Sequence, residues 1–184
     1  MKTLLSLFAL ALAMFAAPAL AHDPSGYAPM KPFEPYAGHT YRGEGTGPDG
    51  KKVIDIAKWE FILGGRALQT THRLEDGSYG GRTIIFFDEA AKEYVFHYFT
   101  TAGFHTTGKA ELTDKGFRAV EKVIGHPTYA EVRSEIFLEG KNLRTTSQHV
   151  TVDGDVSDVE EGFLYRPIDD EEIGPLFEGG EHHE

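Results

Sequence analysis

Nine short turn-forming stretches divide residues 38–167 at near-regular intervals, and they constrain the fold more than any other feature. They are GPDGK (47–51), LGGR (63–66), EDGS (75–78), DEAAKE (88–93), TAGF (101–104), TDKG (113–116), GHPT (125–128), LEGKN (138–142) and VDGD (152–155). Glycine, asparagine and aspartate tolerate the backbone conformations that reverse a chain, so such stretches read as hairpin turns. The ten segments between them are rich in Thr, Val, Ile, Phe and Tyr, which suit a pleated, half-buried surface. Only 88–93 reads as briefly helical, and it is too short for a crossover, so successive strands pair antiparallel. Ten hairpin-linked strands leave no raw edge if they close into an up-and-down barrel. The expected fold is therefore all-β, a ten-stranded antiparallel barrel over 38–167, with a sandwich as the alternative.

Alternation supports strands within these segments. Trp59, Phe61 and Leu63 share one face against Lys58, Glu60 and Ile62, and Val132, Ser134 and Ile136 oppose Glu131, Arg133, Glu135 and Phe137. The flanks differ. Residues 1–21 carry Lys2, an apolar run from Leu4 broken at Pro18, and Ala-Leu-Ala at 19–21. This reads as a secretory signal peptide, the run being shorter than the roughly 20 residues of a membrane span. Residues 22–37 hold four prolines and read as an extended leader whose Tyr27, Phe33 and Tyr36 can lie over the domain. Residues 168–184 are acid-rich and read as a solvated tail.

Export and the absence of cysteine together exclude both disulfide staples and lipid attachment through cysteine, so no stable membrane anchor is expected and stability must come from the core. A formal charge of −11 argues against a nucleic-acid partner. The expected location is periplasmic or secreted.

Specific motifs resemble known barrels. Tyr41-Arg42-Gly43-Glu44-Gly45-Thr46-Gly47 is similar to the opening of nitrobindin-type haem-binding barrels. Trp59 to Leu68, then Asp76-Gly77, Phe87-Asp88 and Lys92-Glu93-Tyr94, resemble a bacterial lipocalin-like family of unknown function. Both groups are calycin-like, and the resemblance over about residues 36–167 implies a closed barrel around a pocket. The nitrobindin type implies a proximal His in a strand near the end of the barrel. Residues 155–166 contain none, and His149, one segment earlier, is the nearest.

Candidate site residues follow from the barrel reading. In YVFHYFTTAGFHTTG (94–108), Val95, His97 and Phe99 alternate with Tyr94, Phe96 and Tyr98; both sets are largely apolar, so the sequence leaves their facing open. An inward His97, with Trp59, Phe61, His72, Phe99 and His105, would line a ligand pocket, and Arg66 or Arg82 would stand near its mouth. The bland reading makes each histidine a hydrogen-bonded packing residue. His72, His97 and His105 on neighbouring strands could also form an open three-His metal site, and His149, or His22 at a mature N-terminus, are weaker metal candidates. No nucleophile elbow, cysteine or calcium loop is present, and Gly64-Gly65 and Gly80-Gly81 fit turns and close backbone approach better than phosphate binding.

The sequence thus leads to an exported barrel that binds a small apolar or amphiphilic molecule, with no catalytic residue and no cofactor expected. A haem or His-metal redox protein or enzyme is one alternative, and a structural barrel with a filled interior is another.

Overall fold

A computed structural model describes residues 26–47 and 50–169. Ten strands follow in order: β1 (His39–Thr46), β2 (Lys52–Ile62), β3 (Ala67–Leu74), β4 (Gly80–Asp88), β5 (Glu93–Thr100), β6 (His105–Leu112), β7 (Gly116–Ile124), β8 (Tyr129–Glu139), β9 (Asn142–Thr151) and β10 (Glu160–Ile168). Each pairs antiparallel with its sequence neighbour, and β10 returns to β1, closing the barrel. All nine expected breaks fall at connections between strands. The barrel, not the sandwich, is the fold.

The turns show why. Gly77 and Gly103 adopt φ of +73° and +85°, conformations that other residues reach only with strain. Residues 88–93 form a tight turn and not a helix: the Asp88 carboxylate accepts the N–H groups of Ala90 and Ala91 at 2.8 and 3.0 Å, and Lys92 takes φ 59°. That side-chain bonding substitutes for a helical turn. Leu63 does not extend the Trp59–Phe61 face, because it sits in the β2–β3 turn and is 74% exposed.

One end of the barrel is stoppered by the chain itself. The proline-rich leader is extended neither at Ala28–Phe33, which is a 3-10 helix with Pro29 at its start, nor in its packing. Met30, Phe33 and Tyr36 are almost fully buried. Phe33 meets Tyr94 and Phe117 edge-on at 5.1 and 5.3 Å, while Tyr36 lies 5.7 Å from Trp59. The Tyr94 hydroxyl donates to the Pro29 carbonyl at 2.6 Å. Three such side chains contribute about 1.5–3 kcal/mol apiece by burial, enough to hold the stopper in place.

The expected signal peptide (1–21) and the tail beyond Asp169 lie outside the described residues; β10 itself runs to Ile168, which pairs with Thr40. Among the described residues no helix is long and apolar enough to cross a membrane.

Candidate functional site

Strand alternation puts Tyr94, Phe96 and Tyr98 inside the barrel. Phe96 is buried in the core and Tyr98 lines the internal cavity, so Val95, His97 and Phe99 take the outer face. His97 is exposed and Phe99 is 53% exposed. On β6 the inward residue is Thr106, which turns His105 outward, directly opposite Phe99. The three rings form an external stack, with centroids 6.5 Å apart from His97 to Phe99 and 6.0 Å from Phe99 to His105.

The expected pocket lining is corrected accordingly: His97, Phe99 and His105 lie on the outer wall. Arg82 also lies there, exposed and paired with Phe99. Arg66 is at a barrel end, but the stoppered one, with its guanidinium 4.5 Å above the Tyr27 ring. Phe61 faces the core. Trp59 and His72 do line the cavity.

That cavity has a volume of about 270 Å³. Its lining mixes the bulky Trp59, Phe96, Tyr98 and Phe117 with the small Ala110, Ala119, Ser134, Thr145 and Ser147, which leave space unfilled. Small residues against large ones decide whether a barrel interior is solid or hollow. Trp59 is 7% exposed, and among the described residues its buried indole N–H has no hydrogen-bond partner. A donor in that state is costly to leave unmade, by about 1–3 kcal/mol.

Toward the opposite end from the stopper, five polar side chains form a connected cluster. His72 Nδ1 lies 3.0 Å from Asp55 Oδ1, and His72 Nε2 lies 2.8 Å from the Tyr98 hydroxyl. The Tyr98 hydroxyl is 2.7 Å from that of Tyr79, and the Tyr165 hydroxyl donates to Asp55 Oδ2 at 2.7 Å. Since an ionised Asp55 only accepts, His72 Nδ1 donates to it. A neutral His72 then accepts from Tyr98, which accepts from Tyr79; an imidazolium reverses the outer two bonds. Burial pushes the phenols of Tyr79, Tyr98 and Tyr165 above their ordinary range, with the Asp55 charge adding to the effect at Tyr165. All three remain protonated donors at neutral pH.

Two glycines let the tyrosines reach the Asp–His pair. Gly43 faces both Tyr165 and Asp55 across its two ladders, and a Cβ on it would come within 2.5 Å of the Tyr165 ring. Gly81, opposite His72, lies beneath the Tyr98 ring in the same way. Close approach, as expected of Gly81 from the sequence, is its role.

Glu121 on β7 completes the polar end. It lines the cavity and accepts the Thr106 hydroxyl. Burial raises its pKa, an effect the Thr106 hydrogen bond only partly opposes. Beyond it, aromatic rings run along the rim: Tyr79, Phe104, His126, Tyr129 and His149 contact in sequence at centroid distances of 4.9–6.5 Å. His126 Nδ1 accepts the backbone N–H groups of Thr128 and Tyr129, both at 3.1 Å.

The three-His metal arrangement does not form, because His72 is inside the wall and His97 and His105 are outside it. His149 packs against Tyr129 with the rings tilted, and among the described residues no three His, Cys, Asp or Glu side chains converge on one point. His22 lies outside the described residues. No protein-family model matches the chain, and no curated protein matches it. The closed ten-stranded antiparallel barrel is compatible with a calycin-like fold.

Asp55, Tyr79, Tyr98, Tyr165 and Glu121 escaped the sequence reading as site residues. A signal for one of them, Asp55, existed. Pairing Ile62 with Ala67 across the 63–66 turn places Ala57 opposite His72 and Asp55 one pleat further on the same face.

Proposed function

We propose that this protein is an exported, calycin-like carrier that takes a small, mostly apolar molecule into the barrel cavity without transforming it. The observation that carries the reading is the hollow beside Trp59, whose buried N–H has no hydrogen-bond partner among the described residues. Aromatic walls supply apolar burial, and a ligand acceptor would complete the Trp59 bond. A volume near 270 Å³ lies just below the about 300–1,000 Å³ typical of ligand sites and suits a single-ring or short-chain molecule. A kinship with the bacterial lipocalin-like group accords with the barrel and with the Trp59–Leu68 motif. Export rests on residues 1–21 alone.

Trp59 is the only tryptophan of the chain, so its fluorescence reports directly on the cavity. Native mass spectrometry of gently purified protein, paired with titration of Trp59 emission by small amphiphiles, tests the proposal. A retained mass, or a saturable emission change, is expected. A ligand-free protein whose emission responds to no amphiphile would overturn it and leave the barrel a structural element.

A further inference from the structure

The charged groups at the polar end of the cavity are mostly acidic. Its lining contains no Lys or Arg, and its one basic side chain, His72, is already held by Asp55. The Asp55–His72 pair therefore carries a net charge of either zero or −1, whatever the state of the imidazole, and Glu121 can only make the site more negative. Tyr98 spends its hydroxyl hydrogen within the chain in both hydrogen-bond directions. Among the described residues Glu121 accepts one hydrogen bond, from Thr106, and its side chain lines the cavity together with Tyr98.

We infer that the ligand of the cavity is a small organic cation, an amine whose ammonium pairs with Glu121 while its apolar body lies among Trp59, Phe96, Tyr98 and Phe117. Desolvated carboxylate plus aromatic faces is the arrangement that favours an ammonium over water, because ring quadrupoles and the carboxylate act with the same sign. An anionic ligand would meet only negative or neutral groups. The chain's charge of −11 further favours the approach of cations. The inference rests on the carrier reading above and names the chemical class it takes.

Three probes of nearly equal shape test it by calorimetry at pH 7.5: 2-phenylethylamine, 2-phenylethanol and 3-phenylpropionate. The amine is expected to bind at least about tenfold more tightly than the alcohol, and the carboxylate weakest of the three. Glu121→Gln should cost the amine about tenfold while leaving the alcohol within about twofold. Lowering the pH should weaken the amine but not the alcohol as Glu121 takes up a proton. The other titratable groups of this end (His72, Asp55, Tyr79 and Tyr98) and the Thr106 hydroxyl are unchanged in Glu121→Gln, so the part of the amine's pH dependence that this variant abolishes is the part owed to Glu121. Equal binding of amine and alcohol, an unaffected amine in Glu121→Gln, or preferred binding of the carboxylate would each overturn the inference while the carrier reading stands. Failure of all three probes up to about 10 mM, together with an unresponsive Trp59, would remove both.

Discussion

Tyr165 and Asp55 are 110 positions apart in sequence, yet they share a 2.7 Å hydrogen bond across β1 at the seam where the last strand meets the first. The bond ties barrel closure to the solvation of a carboxylate that is almost wholly buried. Tyr165→Phe keeps the ring and removes the donor. It should lower stability by about 1–3 kcal/mol, seen as a lower urea midpoint at unchanged slope. An unaltered midpoint would show that Asp55 does not depend on this bond.

Gly43→Ala should act on the same bond from beneath, because the added Cβ collides with the Tyr165 ring. A cost of about 1–3 kcal/mol is expected, as for other overpacked sites. The informative measurement is the double variant with Tyr165→Phe. If part of the glycine's cost is loss of the Asp55 bond, the two effects sum to more than the double variant shows. Strict additivity would assign the whole penalty to sterics.

Glu121 gives a pH signature of opposite sign to a surface ion pair. Its pKa is raised on folding from an ordinary value of 4.5, so the folded state prefers the protonated form. Stability from this group is therefore full in acid and falls as pH rises from about 4.5 through the raised value. Glu121→Gln abolishes that loss. The variant should melt higher than wild type at pH 7, with the difference closing by pH 4. A variant less stable at pH 7 would mean the carboxylate is better solvated than its position implies.

The outer stack predicts almost nothing, which is its use. His97→Ala and Phe99→Ala should each change stability by no more than about 0.5 kcal/mol and leave the Trp59 response to amphiphiles untouched. Loss of that response in either would place the ligand on the outside of the barrel.

Phe33→Ala removes the centre of the stopper and should cost about 3–5 kcal/mol. Quenching of Trp59 by acrylamide should rise at the same time, since Phe33 packs against Tyr36, the stopper ring that lies against Trp59. A stable variant with unchanged quenching would show that Met30 and Tyr36 suffice.

The strand count was legible because each reversal needs residues that tolerate unusual backbone angles, and those residues announce themselves: Gly77, Gly103 and Asp88 mark turns whatever surrounds them. The facing of 94–108 was not, because Tyr94, Phe96 and Tyr98 are about as apolar as Val95, His97 and Phe99. Water tolerates an external aromatic stack, so composition alone does not separate the two sides. The polar cluster was hidden for another reason. Asp55, His72, Tyr98 and Tyr165 come from four strands, and only β2 and β3 are linked by a turn short enough to fix their register from sequence. Glu121 resembled the other acids of an acidic chain until β7 turned it inward.

The pairing of β10 with β1 also sets an order of events as the chain emerges N-terminus first. Until residues 160–168 emerge, the nine preceding strands form a sheet with two open edges, and Asp55 lacks the Tyr165 hydroxyl. Non-local pairing of this kind is slow, and open edges invite other chains while it is pending. The final stretch of this barrel is thus the step that commits the nascent chain, and a polypeptide cut short before Tyr165 would be left as a sticky sheet around a poorly solvated charge.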